Sequence, residues 1–126
     1  MATVQVIEEG FRNYIIKVDG TGVETNTLIV DVSTLNPPCT RVRLKRITYN
    51  LESAQKMQLL WDATSPTILV ALNGSNDADM CFEPTAGIPN NAGAGVTGDV
   101  LLNGGTASTD YSLYIEFIKS DPVTTL

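Results

Sequence analysis

"DYSLYIEFIK", residues 110–119, is the stretch that decides the fold class of this chain. Apolar side chains occupy every second position: Tyr111, Leu113, Ile115 and Phe117. Successive side chains of a β-strand point to opposite faces, so this spacing predicts a strand with one face turned toward a core. The stretch therefore favours a β fold in which one side of each strand is buried.

Seven further segments carry the same type of pattern. They are "TVQVIEE" (3–9), "FRNYIIKV" (11–18), "NTLIVDVS" (26–33), "RVRLKRITYNL" (41–51), "KMQLLWDA" (56–63), "PTILVALNG" (66–74) and "GDVLLNGG" (98–105). Parallel strands need long crossover connections, usually helices, and no stretch of convincing helical period occurs. We therefore expect an all-β protein: a single antiparallel β-sandwich or jelly roll of about eight strands, without significant helix.

The alternation also predicts which side chains face the core. In the segments before residue 80 these are Tyr14, Ile16, Val18, Leu28, Val30, Val32, Met57, Leu59, Trp61, Ile68, Val70 and Leu72. In "RVRLKRITYNL" the apolar parity reverses, and a β-bulge near Lys45 and Arg46 would restore one buried face. The turn residues in "DGTGVETN" (19–26) predict a hairpin between the strands on either side.

Length and composition limit the classes of function. A chain of 126 residues with 43% hydrophobic and 17% charged residues predicts one folded domain over residues 1–126. Its net charge of -6 disfavours general binding to nucleic acid or to anionic membranes. No signal peptide or membrane-spanning segment is indicated. We expect neither nucleic acid nor a membrane among its partners.

Residue types limit the chemistry further. The chain has no histidine, which excludes Ser-His-Asp and Cys-His catalysis and imidazole-based metal sites. Its two cysteines, Cys39 and Cys81, cannot form a zinc site alone, and we expect them to remain unbonded. We predict a protein that is not an enzyme, with no catalytic residues, no cofactor and no metal.

Two motifs could indicate a ligand, and each has a simpler interpretation. "GAGVTG" (93–98) has the spacing G-x-G-x-x-G, but it follows a loop and precedes a strand, whereas dinucleotide binding needs a following helix. We interpret its glycines as positions of positive φ and close chain approach. Asp77, Asp79 and Glu83 resemble calcium ligands in spacing, but the glycine and helices of an EF-hand are missing, which favours a solvated turn.

Candidate interface residues lie in two segments. Half of the eight basic residues occur in "RVRLKR", at Arg41, Arg43, Lys45 and Arg46, where they either contact an acidic partner or protect a strand edge from aggregation. The second segment is a long predicted loop at about 73–98, before a strand and a short C-terminal tail at 120–126. Its candidates are Met80, Phe82, Ile88, Asn90 and Asn91, of which Met80 and Phe82 could instead fill the core.

Four segments together resemble a known family: "LIVDVSTL" (28–35), "LLWDAT" (59–64), "AGIPNNAGAGVTGDVLL" (86–102) and "DYSLYIEFIK" (110–119). They are similar to small capsid decoration, or cement, proteins of tailed bacteriophages. The resemblance implies a β-sandwich or jelly roll, often a homotrimer, that is made in the host bacterial cytoplasm. It further implies a place on the outer face of the virion capsid, with the phage major capsid protein as partner, and no catalytic residues.

Two other functions are compatible with the same sequence. The protein could be another virion component, such as a tail or fibre part. It could instead be a carbohydrate-binding β-sandwich module, although such modules usually need exposed aromatic side chains. Here the sequence holds one tryptophan, four tyrosines and three phenylalanines, and most of them have inward parity.

Overall fold

The computed structural model describes residues 2–52, 55–74, 78–82 and 87–122. In this part of the chain nine strands occur: β1 (Thr3–Glu9), β2 (Asn13–Thr21), β3 (Glu24–Val30), β4 (Cys39–Leu51), β5 (Lys56–Trp61), β6 (Thr67–Asn73), β7 (Ala78–Cys81), β8 (Val100–Gly104) and β9 (Asp110–Pro122). One short 3-10 turn, η1 (Val32–Thr34), follows β3, and the described residues hold no α-helix.

The strands form two antiparallel sheets that enclose one core. The larger sheet has the order β1-β2-β9-β4-β7, and the smaller sheet has the order β3-β8-β5-β6. Strands pair from the two ends of the chain inward, β2 with β9, β3 with β8, β4 with β7 and β5 with β6. This is a jelly roll to which β1 adds an extra edge strand, and the predicted all-β fold is confirmed.

The core lies between the sheets, as the alternation predicts for most strands. The inward side chains of β9, namely Tyr111, Leu113, Ile115 and Phe117, are all buried, and so are Tyr14, Ile16 and Val18 of β2. The register of β4 against β9 shifts between Leu44 and Arg46, which confirms the predicted bulge. Residues on both sides of this bulge are buried, because the extra residue restores their common face.

The predicted inward orientation is wrong for two residues. Leu28 of β3 and Ile68 of β6 are 48% and 53% exposed. Ile29 is the extra residue where β3 shifts register between Leu28 and Val30, and Leu69 is the extra residue opposite Leu59 and Leu60. A slip of one residue moves a side chain to the other face, and for this reason Ile29 and Leu69 are buried instead.

The predicted hairpin between residues 11–18 and 26–33 is also wrong. β2 pairs with β1 and β9, whereas β3 pairs with β8 in the other sheet. The glycines between them allow the chain to cross from one sheet to the other, and Gly22 has a φ of 98°. A turn signal alone does not distinguish a hairpin from such a corner, because both need a tight change of direction.

Two boundaries differ from the sequence prediction. The segment 73–98, predicted as a loop, contains β7, which raises the strand count in the described residues from about eight to nine. β7 has four residues that pair with Arg46–Tyr49 of β4, too few to show an alternation of their own. β9 continues to Pro122, so residues 120–122 of the predicted tail at 120–126 belong to a strand, and the rest of the predicted tail lies outside the described residues.

Two smaller expectations concern cysteines and membranes. Cys39 is buried and Cys81 is exposed, and these two residues form no disulfide. Among the residues that the structure describes, no helix has the length and apolar character needed to cross a membrane.

Candidate functional site

The four basic residues of β4 project from the outer face of the larger sheet, and we call them the basic strip: Arg41, Arg43, Lys45 and Arg46. Val42 and Leu44 are completely buried on the inner face, so their neighbours Arg41 and Arg43 must point outward. Lys45 lies at the bulge, and Arg46 faces β7 across the sheet. The predicted basic candidates therefore share one face.

Two carboxylates offset part of this positive charge. Arg46 donates from Nε and Nη2 to the two oxygens of Asp79, at 2.8 and 2.5 Å. This pair raises the pKa of Arg46 and lowers the pKa of Asp79. Lys45 Nζ lies 4.0 Å from Glu116 Oε1. Carboxylates therefore lie beside two of the four basic residues of the strip, in a chain whose net charge is -6.

The second predicted segment lies directly beside the strip. Leu44 N–H donates to the Ile88 carbonyl at 3.1 Å, and Ile88 N–H donates to the Leu44 carbonyl at 2.8 Å. Gly87 makes this approach possible, since its φ is +91° and a Cβ there would lie 2.8 Å from the Leu44 oxygen. The fold thus brings the two candidate segments together at one edge of the larger sheet.

Residues of the second segment differ in exposure. Met80, Phe82 and Ile88 are half-buried and pack against the core. Asn91 is exposed, whereas Asn90 is half-buried and accepts a hydrogen bond from Ala92 N–H at 2.9 Å. The apolar candidates therefore contribute mainly to packing in the described structure, and their contact with a partner stays a prediction.

The "GAGVTG" stretch provides backbone shape, as predicted, at two of its three glycines. Gly95 and Gly98 have φ of +78° and +89°, and a Cβ at either would lie 2.1 Å from an atom of Thr64 or Thr40. Gly93 shows neither feature. The stretch leads into β8, so it does not form the helix N-terminus that a dinucleotide site needs.

The structure describes one of the three residues that resemble calcium ligands, Asp79, and its contacts do not support a calcium site. Asp79 lies in β7, where its carboxylate accepts hydrogen bonds from Arg46 and from Thr48 Oγ1. Asp77 and Glu83 lie outside the described residues. Within the ranges that the structure describes, no group of three or more His, Cys, Asp or Glu residues could hold a metal ion.

A second surface, which the sequence did not indicate, is the edge strand β1. All seven residues of β1 are exposed, including Val4 at 37%, Val6 at 50% and Ile7 at 47%. Val4 and Val6 pair with Val18 and Ile16 of β2, which are completely buried. The two β1 valines therefore face the same side as the core but have no cover.

The unequal size of the sheets explains this exposure. The larger sheet has five strands and the smaller sheet has four. β1 is the edge strand of the larger sheet and extends beyond the surface that the smaller sheet covers. The alternation in "TVQVIEE" correctly predicts a strand, but no local signal in those residues could reveal the missing cover.

One partly buried ion pair fixes the end of β1. Lys119 on β9 is completely buried, and its Nζ donates to Glu9 Oε2 at 3.3 Å and to the Pro37 carbonyl at 3.2 Å. The same Glu9 oxygen accepts a hydrogen bond from Asn36 N–H at 2.6 Å. Buried charges require such partners, so this contact connects β1 to the core across β2.

An open polar depression of about 680 Å³ lies at one end of the larger sheet. Its lining includes Asp19 and Asp110, which accept hydrogen bonds from the hydroxyls of Ser112 and Thr21 respectively. The hydrogen bond from Ser112 lowers the pKa of Asp19, and nearby Lys17 also contributes. A general acid at neutral pH needs a raised pKa, so Asp19 is poorly suited to that role.

Comparison with known proteins adds no relative. No protein-family model, no curated protein and no solved structure matches this chain. The function must therefore be inferred from the fold, its surfaces and the resemblance of the four segments.

Proposed function

We propose that this chain is a non-enzymatic structural protein of a bacteriophage virion, which binds the outer surface of the head and stabilises the lattice of the major capsid protein. The resemblance of four segments to phage decoration proteins is the starting point. The jelly roll is compatible with it, since this fold occurs in viral capsid proteins. It also occurs in lectins, and a fold alone does not establish a function, so surface residues carry the argument.

The basic strip is the observation that carries the proposal. A chain with 14 acidic and eight basic residues places four of the basic ones within six positions of one strand. All of them lie at the outer face or the bulge of β4, and the segment with Asn91 runs alongside. Complementary charge steers association and sets orientation, so this edge suits an acidic surface on the capsid protein.

Binding to an assembled lattice would stabilise it by mass action. A ligand that binds only the assembled state disfavours disassembly, by about 2.7 kcal/mol when its free concentration is 100 times Kd. A head presents many equivalent sites, so a modest contact at each site is sufficient. The remaining acidic surface would keep decorated particles from associating.

The carbohydrate-binding alternative has less support. Of the aromatic residues that the structure describes, only Phe11 and Tyr114 are among the exposed large side chains, at 55% and 37%. Trp61, Tyr14, Tyr49, Tyr111 and Phe117 are all buried. Sugar rings usually stack on exposed aromatic surfaces, and most of that surface is inside this core.

The test uses heads that lack the protein, to which purified protein is added back. We expect the wild type to raise the temperature at which heads release their genome, and the Arg43→Glu variant to raise it less. Lys56→Glu is the matched control, because Lys56 is exposed on the smaller sheet and the charge change is equal. Identical melting of heads with and without the wild-type protein would contradict the proposal.

The position on the particle is a separate test. Electron microscopy of purified virions should locate hundreds of copies over the head surface. A few dozen copies at the tail would indicate a tail or fibre component, and absence from the virion would rule out a structural role. Binding to a glycan array at micromolar affinity, with no effect on heads, would instead favour the carbohydrate-binding module.

A further inference from the structure

We propose that β1 pairs antiparallel with β1 of a second copy, across a two-fold axis, and joins the two larger sheets into one. This contact lies at the edge of the sheet opposite to β7. It does not involve the basic strip and does not depend on binding to a phage head.

The first argument is the exposure of a complete strand. Val4, Val6 and Ile7 are between 37% and 50% exposed. Among the residues that the structure describes, β1 pairs with β2 on one side and with no strand on the other. Its other side carries unpaired backbone N–H and C=O groups, which form a template for another strand. Natural edge strands usually carry charges that prevent this, but Thr3–Ile7 has none.

The second argument is the distribution of charge, which allows a second copy to approach this edge without repulsion. β1 has acidic residues only at its end, Glu8 and Glu9, and Glu9 is already paired with Lys119. Antiparallel pairing centred on Gln5 would place Glu8 opposite Ala2 of the other copy. The two Glu8 residues would then lie about 20 Å apart at ~3.4 Å per residue, beyond the Debye length of about 8 Å.

The third argument is self-complementarity of the side chains. With Gln5 opposite itself, Val4 of each copy lies opposite Val6 of the other copy. All four valines face the core side of the joined sheet, in the part that the smaller sheets do not cover, and cross-strand β-branched pairs stabilise such contacts. The bulge of β1 between Val6 and Glu8 ends the regular edge at this point, so the pairing is restricted to the uncharged residues.

The contact should be weak in dilute solution. A short edge strand buries less than the roughly 1,200 Å² that marks the lower end of stable interfaces. We therefore expect a reversible dimer that forms in the micromolar to millimolar range. Copies held close together on a particle would pair more readily, because their effective concentration is higher.

A disulfide tests the register. In a Cys81→Ser background, the Gln5→Cys variant should cross-link to a dimer on mild oxidation, because position 5 lies opposite itself. Thr3→Cys is the control, since two copies of position 3 would be about 14 Å apart. That distance exceeds the span of a disulfide, about 4.4–6.8 Å between Cα atoms. Equal cross-linking of the two variants, or none by Gln5→Cys, would overturn the proposed register.

Sedimentation velocity over a range of concentrations tests the association itself. The wild type should change from monomer to dimer as its concentration rises. Val6→Glu should reach the same fraction of dimer only at a concentration at least tenfold higher. Val96→Glu is the matched control, because Val96 is 49% exposed and Val6 is 50% exposed. Circular dichroism verifies that the wild type and both variants fold. A trimer, or equal association of the two glutamate variants, would contradict the two-fold contact, and neither result depends on binding to heads.

Discussion

β2 has two neighbours in the larger sheet, and they differ completely in burial. On one side, β9 buries Tyr111, Leu113, Ile115 and Phe117, each at 3% exposure or less. On the other side, all seven residues of β1 are exposed, although Val4 and Val6 follow the same alternation and face the same way. Alternation in a sequence therefore determines the face of a side chain, but the opposite sheet determines whether that face is buried.

The largest expected effect comes from truncating one side chain in β9 and one in β1 and comparing the losses of stability. Phe117 is 1% exposed, and Phe117→Ala should lower the free energy of unfolding by about 3–5 kcal/mol, since it removes buried area and leaves a cavity. Val6 is 50% exposed, and Val6→Ala should cost less than about 1 kcal/mol. Denaturant unfolding at low protein concentration measures both. Losses of similar size would mean that β1 is covered in the monomer.

The second test concerns the ion pair between Glu9 and Lys119, which connects β1 to β9. Glu9→Gln removes the carboxylate partner of Lys119 and should cost about 2 kcal/mol. This is below the 3–5 kcal/mol of fully buried pairs, because the Glu9 side chain is 25% exposed. Adding Lys119→Met should recover part of the loss, since no buried charge then remains. A double variant less stable than Glu9→Gln alone would show that the lysine does not need this partner.

The other edge of the sheet supplies a smaller effect. Arg46 and Asp79 connect β4 to β7, and their side chains are 43% and 45% exposed. Exposed ion pairs contribute little, so Arg46→Gln should lower stability much less than Glu9→Gln does, and the loss should shrink in high salt. An effect as large as that of Glu9→Gln would mean that exposure does not distinguish the two pairs.

The smallest effect concerns the carboxylate of Asp19, a residue of β2 that lies between β1 and β9. Asp19 pairs with Thr3 of β1 and with Ser112 of β9. One oxygen of its carboxylate lies 3.1 Å from Lys17 Nζ on β2 itself, and the other accepts a hydrogen bond from the Ser112 hydroxyl. Because this bond lowers the pKa of Asp19 below 3.8, the carboxylate stabilises the fold above that pH. The stabilisation is lost as the pH falls through the lower, folded-state value.

An NMR titration can test this assignment for Asp19. Ser112→Ala should raise the pKa of Asp19 toward its ordinary value, and Thr3→Ala should leave it unchanged. The same Ser112 variant should show a flatter dependence of unfolding free energy on pH below about pH 4. A rise in pKa with Thr3→Ala would mean that β1 holds the carboxylate as firmly as β9 does.

Most of the buried face of the sandwich could be predicted from the sequence. The inward residues of β2 and β9 follow a strict period of two, and the reversal of parity in β4 correctly predicts the bulge between Leu44 and Arg46. These features are local, since the preference of each side chain for the core is visible in its neighbours. The jelly roll itself was one of two expected architectures, because local patterns do not determine strand order.

The errors have physical causes that depend on distant parts of the chain. Ile29 and Leu69 replace Leu28 and Ile68 in the core because a partner strand lacks one residue at each site. β7 exists because β4 offers an edge with which it can pair. Lys119 is buried because Glu9 and the Pro37 carbonyl lie beside it, although they are far away in sequence.

The basic strip and the β1 surface also differ in how far the sequence could predict them. The basic strip was predictable, because four cations in one short segment of an acidic chain are visible without a structure. Its position beside Ile88, Asn90 and Asn91 was not, since it depends on the contact between Leu44 and Ile88. The β1 surface could not be predicted at all, because it arises from the difference between a sheet of five strands and a sheet of four.

Hydrogen exchange tests the central claim, that β1 is an edge strand left open in the monomer and covered by a second copy, without any mutation. Amide exchange is measured by mass spectrometry or NMR at low and at high protein concentration. We predict that the Thr3–Ile7 amides exchange more slowly at high concentration, whereas exchange in Tyr111–Phe117 is the same at both. Exchange in β1 that is independent of concentration, or as slow as in β9 when the protein is dilute, would contradict the claim.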